Sequence, residues 1–137
     1  MKTLLLGATG NLGSRIIPAL LAHNHQVYVF VRNPQKLQSL LPSSVFSKLE
    51  IIQGDATSES AVYSALKDSN AEILVTAAGA APMSPWSKSN VPEIESAIVA
   101  ALEAVGAERK KEIRSWFLGG MLLLDLPGSA GRWKLVD

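Results

Sequence analysis

Three glycines in a fixed frame, Gly7-x-x-Gly10-x-x-Gly13, place the tightest limit on what this chain can fold into. Ahead of them Lys2 to Leu6 is a short, mostly apolar run, and behind them Leu12, Ile16 and Leu20 recur at helical spacing. Strand, tight turn and helix, in that order, are what a dinucleotide site requires. Gly7 lets the chain turn sharply out of the strand, Gly10 lets the backbone approach a pyrophosphate, and Gly13 lets the helix pack closely on the strand. Thr9, Asn11 and Leu12 complete the loop, and the phosphates are expected on free N–H groups at the positive end of a helix beginning near Asn11. The frame differs from the G-x-G-x-x-G of many dehydrogenases, and the plainer alternative is a glycine turn with no ligand.

The remaining chain alternates strands and helices. The first helix, Asn11 to Ala22, carries Pro18, which is expected to kink it, while the apolar stripe argues that it continues regardless; His23-Asn24-His25 then reads as a turn, with Asn24 in the left-handed conformation and no third metal ligand nearby. Val27 to Val31 is a β-branched and aromatic strand of the kind buried in parallel sheets. Arg32 closes it, where a site for unphosphorylated NAD would place a carboxylate on the ribose hydroxyls. An arginine there can fork onto a 2′-phosphate, with Lys36 in the Pro34 to Leu41 helix as a second cation, so NADP(H) is preferred over NAD(H); the alternative is a solvated end-of-strand charge. Leu49 to Gln53 is the third strand, followed by Gly54-Asp55-Ala56 and a helix capped from Thr57-Ser58-Glu59 and running to about Lys67. Ile73 to Thr76 is the fourth, running into the small residues Ala77, Ala78 and Gly79 and then the loop Pro82 to Asn90. Pro92 opens a helix ended by Gly106, Glu108 to Glu112 is a solvated charge run, and Arg114 to Leu118 is the fifth strand. The pattern predicts an α/β fold, a doubly wound parallel sheet (Rossmann) with five strands in the order 3-2-1-4-5 and a crevice between strands one and four at their carboxyl ends.

Composition narrows the partners. With 13 Lys+Arg against 12 Asp+Glu there is no basic excess to hold a phosphate backbone, so nucleic acid is not an expected ligand. The absence of cysteine removes disulfides, thiolate nucleophiles and cysteine metal sites. MKTLLL imitates the start of a secretory signal, but Gly7, Thr9, Gly10 and Asn11 interrupt it, and the longest apolar run, Trp116 to Leu124, is too short to span a bilayer. The expectation is a cytoplasmic protein of one domain, residues 1–137, with no membrane partner.

GATGNLG after a leucine strand resembles the atypical short-chain dehydrogenases, especially the NmrA-like NAD(P)H-binding proteins. The resemblance implies an oxidoreductase moving hydride to a small carbonyl or quinone-like substrate, with Asp55 and the Ala56 N–H beside the adenine and Ala77, Ala78 and Gly79 passing the ribose and nicotinamide. Asp55 reads equally as a local turn residue. Tyr63-x-x-x-Lys67 matches the family's catalytic pair in kind but sits after the third strand, on the adenine half, and reads as a chance match with Tyr63 partly buried. The chain stops where the family continues to its catalytic residues and substrate-binding part. Two alternatives therefore stand beside the enzyme: a non-catalytic NADP(H) redox sensor, and a truncated product. The fifth strand, with no sixth beside it, is expected to pair with a second copy or aggregate.

Overall fold

The computed structural model describes residues 1–79 and 89–118. Five parallel strands, β1 (Lys2–Leu6), β2 (Gln26–Val31), β3 (Glu50–Gln53), β4 (Ile73–Thr76) and β5 (Arg114–Phe117), form one sheet in the order β3-β2-β1-β4-β5. The helices are α1 (Gly13–Ala22), α2 (Pro34–Leu40), α3 (Ser43–Phe46), α4 (Glu59–Ser69) and α5 (Val91–Arg109). This is the doubly wound order that the glycine turn and the alternation of elements predict.

Alternation along the central strands decides which helix covers which face. Leu4, Leu6 and Phe30 point into the layer closed by Val62, Ala65 and Leu66 of α4 and Ile94, Ile98, Ala101 and Val105 of α5. Leu5, Val27, Val29 and Val31 point the other way, against Ile17 of α1 and Leu37 of α2. The leucines of β1 are fully buried, at about 1.5–3 kcal/mol of hydrophobic stabilisation each. The register sets Leu6 beside Phe30 on one side and Thr76 on the other, so three strand ends converge where the Gly7 turn begins.

Local chemistry fixes the helix ends. Asn33 caps α2 by accepting the Lys36 N–H at 3.1 Å, and Ser58 caps α4 by accepting from Ala61. Asn70 ends α4 in the left-handed conformation (φ 49°), and Asn24 (φ 58°) makes the expected turn before β2. His25 goes to a structural bond, Nδ1 to Thr3 Oγ1 at 2.8 Å, and the described residues hold no group of three metal-ligating side chains.

Three details differ from the sequence reading. α1 starts at Gly13 rather than Asn11; it continues through Pro18, as its apolar stripe implied, with the ring at an exposed position. The short helix α3 follows Pro42, where no periodicity marks four residues. α5 passes Gly106 and ends at Arg109, with Lys110 taking the left-handed cap (φ 49°). The cause is tertiary: the Arg109 guanidinium donates to the Ala71 carbonyl at 2.8 Å and to the Leu66 carbonyl at 2.5 Å, which ties the last turn of α5 to the end of α4. The run from Glu108 to Glu112, exposed apart from the half-buried Arg109, is thus put to work: besides Arg109, Glu108 pairs with Lys67 at 2.8 Å and Lys111 with Glu72 at 3.2 Å. Most of the expected loop from Pro82 to Asn90, and the apolar run beyond Leu118, lie outside the described residues.

Candidate functional site

At the carboxyl ends of β1, β2 and β4 the chain leaves an open cleft of about 280 Å³. Gly7, Thr9 and Gly10 line its first side, Arg32, Asn33 and Lys36 its second, Gly54, Asp55 and Ala56 its third, and Ala77, Ala78 and Gly79 the side toward α5. These segments come from four strand ends far apart in sequence, and the doubly wound order is what brings them together. A larger cavity, about 390 Å³, sits at the opposite end of the sheet among Lys2, Gln26, Glu72, Arg109 and Lys111. There Lys111 already pairs with Glu72, and Arg109 is committed to main-chain carbonyls.

The three glycines have different tasks. Gly7 has φ +79°, and a Cβ on it would overlap the Ala77 main chain; a Cβ on Gly13 would overlap the carbonyl of Gly7. Both positions therefore exclude side chains because of protein packing. A Cβ on Gly10 meets only the Gly7 carbonyl, at an ordinary 3.4 Å, and otherwise open space. The fold does not need a glycine there, and the open space beside it leaves the main chain accessible from the cleft. Within the turn the Gly10 N–H donates to the Gly7 carbonyl at 3.1 Å and the Ser14 N–H to the Gly10 carbonyl at 3.0 Å. The N–H groups of Asn11, Leu12 and Gly13 have no protein acceptor among the described residues, leaving a cluster of donors at the start of α1. Asn11, Leu12 and Gly13 nevertheless stand outside the cleft lining; Leu12 projects outward, 40% exposed, and Gly13 is buried on the Gly7 carbonyl.

The cationic side is equally uncommitted. Arg32 and Lys36 are exposed at the cleft, and neither head group has an ion-pair or hydrogen-bond partner among the described residues. The Arg32 main chain is held instead, its carbonyl accepting from Gln53 Nε2 at 3.1 Å. Asp55 lines the cleft and is also the local turn residue the sequence suggested: its Oδ1 accepts from the Thr57 N–H at 2.9 Å and the Thr57 hydroxyl at 2.8 Å. Those two donors, with a smaller pull from Arg32, hold its carboxyl below the ordinary carboxylate range.

Tyr63 and Lys67 lie elsewhere. The half-buried Tyr63 donates its hydroxyl to Glu108 of α5, Lys67 Nζ reaches Glu108 at 2.8 Å and the Tyr63 oxygen at 3.3 Å, and neither residue lines the cleft. Glu108 is held below and Lys67 above its ordinary pKa, each chiefly by their mutual hydrogen bond. The cleft also includes Phe30, Val31, Asn33, Gly54, Asn90 and Ile94, which the sequence reading did not assign to it. Asn33 and Gly54 adjoin assigned residues and were accessible from their position, whereas Ile94 is brought in only by the packing of α5.

Comparison with known proteins agrees with this geometry. The model of a family described as NAD(P)H-binding matches residues 7–133. Over 112 residues the chain is 31% identical to the oxidoreductase dmxR7 of Cryptosporiopsis sp. (strain 8999), covering 76% of this chain and 43% of that protein. It is similar to the Bordetella bronchiseptica enzyme WbmG, solved with NAD, at 26% identity and a TM-score of 0.51 over 64% of this chain and 27% of WbmG. ChuY, an anaerobilin reductase of Escherichia coli O157:H7, shares the fold at 19% identity and a TM-score of 0.64 over 95% of this chain and 59% of ChuY. The chain thus spans less than half the length of its oxidoreductase relative. With the family match running from the glycine turn to residue 133, this chain belongs to the NAD(P)H-binding family, as its likeness to the atypical short-chain dehydrogenases implied.

Proposed function

We propose that this chain binds NADP(H) in preference to NAD(H) and positions it for hydride transfer to a small carbonyl or quinone-like substrate. The observation that carries the reading is an open glycine turn sharing one cleft with two cations, Arg32 and Lys36, that have no protein partner among the described residues. The N–H groups of Asn11, Leu12 and Gly13 are assigned to the pyrophosphate, Arg32 and Lys36 to the 2′-phosphate, Asp55 and the Ala56 N–H to the adenine, and Ala77, Ala78 and Gly79 to the ribose and nicotinamide. A nicotinamide, when bound, supplies the hydride. The chain's own contribution is to bind and orient: the turn neutralises phosphate charge, the small residues after β4 admit the ring, and Phe30 and Ile94 help exclude water. WbmG takes NAD, so the preference rests on Arg32 rather than on the fold. Calorimetric titration with NADP⁺ and NAD⁺ tests it: tighter binding of NADP⁺ is expected, and equal affinities overturn the preference.

A second reading, a redox sensor that binds NADP(H) without turnover, is favoured by the position of Tyr63 and Lys67, bound to Glu108 and away from the cleft. NADPH consumption with a panel of carbonyls and quinones separates the two. In either case residues 1–137 act as one cofactor-binding domain.

A further inference from the structure

Arg32 and Asp55 follow neighbouring strands, and both line the cleft. Opposite charges so placed would ordinarily close on each other. They do not: among the described residues the ion pairs are Lys67 with Glu108 and Lys111 with Glu72. The carboxylate is held back by Thr57, whose N–H and hydroxyl both donate to Asp55 Oδ1, at 2.9 and 2.8 Å. The Ser58 N–H closes the same turn on the Asp55 carbonyl at 3.1 Å. On the other side Gln53 Nε2 fixes the Arg32 carbonyl at 3.1 Å, so the main chain that bears the guanidinium is held as well. An arginine closed on Asp55 would be neutralised, and a 2′-phosphate would have to displace the carboxylate before it could bind.

We propose that Thr57 is a positioning residue for cofactor choice: by engaging Asp55 Oδ1 with both of its donors it keeps that carboxylate off Arg32, leaving the guanidinium open to the 2′-phosphate of NADP(H). This rests on the assignment of Arg32 made above. The role is indirect, because Thr57 itself is outside the cleft lining.

The test is the ratio of NADP⁺ to NAD⁺ affinity, measured by calorimetry on the full chain, in which adenine contacts common to both cofactors cancel. Thr57→Val keeps the side-chain volume and the main-chain N–H but lacks the hydroxyl. It should lower the ratio about two- to fivefold, the range of an exposed ion pair. Thr57→Ser should retain the wild-type ratio, and Thr57→Val with Asp55→Asn should restore it. An unchanged ratio in Thr57→Val, or a fall that Asp55→Asn does not reverse, overturns the proposal. Should Thr57→Val fail to fold, Asp55→Asn alone decides: its ratio should equal or exceed that of the wild type, and a lower ratio overturns the proposal. Arg32→Ala separates this inference from its parent. If Arg32→Ala collapses the preference while Thr57→Val does not touch it, Thr57 alone has been misassigned; if Arg32→Ala leaves the preference intact, both assignments fail.

Discussion

In the proposed function, a single side chain at the end of β2 and a single missing one in the turn after β1 carry most of the cleft's cofactor recognition. Arg32→Asp should reverse cofactor preference, because it removes a charge-assisted pair with the 2′-phosphate and adds repulsion, a change of roughly 2–4 kcal/mol between the two cofactors. Titration of the variant with both nucleotides checks it, and an undiminished preference for NADP⁺ counts against the role of Arg32. The glycines make a contrast within one motif. Gly10→Val should abolish cofactor binding in a protein whose thermal unfolding is nearly unchanged, since the first atom of its side chain meets only the Gly7 carbonyl, at 3.4 Å. Gly13→Ala should instead lower stability, by about 1–3 kcal/mol, because its Cβ collides with main chain that cannot move aside. Thermal melts and binding isotherms on the two variants should therefore show opposite patterns, and a Gly10→Val protein that binds at wild-type strength would reduce the motif to a turn.

Between elements, the contact of α4 with α5 is fastened by polar groups at its carboxyl-terminal end. Arg109 spans from α5 to the Leu66 and Ala71 carbonyls at the end of α4, so Arg109→Met should cost about 1–3 kcal/mol through acceptors left half-buried without their donor. Chemical denaturation measures that cost, and a loss near zero would mean that water replaces the guanidinium. Beside it, Tyr63, Lys67 and Glu108 form an exposed cluster that imitates a catalytic pair while serving as a tie between helices. Tyr63→Phe should leave any measured reductase activity within about twofold, whereas loss of a true general acid costs on the order of a hundredfold. A collapse in turnover with the fold intact would place chemistry at this surface after all.

For the molecule as a whole, the outer side of β5 matters most. Trp116 is 47% exposed and Leu118 equally so, and among the described residues no strand pairs with that edge. An apolar edge of this kind is a template for pairing with another copy of the chain. Light scattering should show concentration-dependent association that Trp116→Lys reduces, and a clean monomer at high concentration would show that the edge is covered. Among the described residues no helix is long and apolar enough to cross a membrane.

The sequence by itself determined the order of the elements, the parallel sheet and the glycine turn, because each rests on local chemistry: apolar periodicity, β-branched runs, glycines at fixed spacing and capping side chains such as Asn33, Ser58, Asn24 and Asn70. It also placed Arg32 and Asp55 just after strand ends and Lys36 one turn into the helix after the second strand, where the doubly wound order makes them neighbours of the turn. Only the tertiary structure decided where α5 stops, since Gly106 is a local stop signal overridden by the long-range bonds of Arg109. It alone separated the glycines that packing requires from Gly10, because that distinction depends on what a Cβ would meet across the fold. The same holds for Asp55 and Arg32: their charges, and the local turn that Thr57 makes with Asp55, are legible in the chain, but their placement at one cleft follows from β2 and β3 lying side by side, where Gln53 also holds the Arg32 carbonyl.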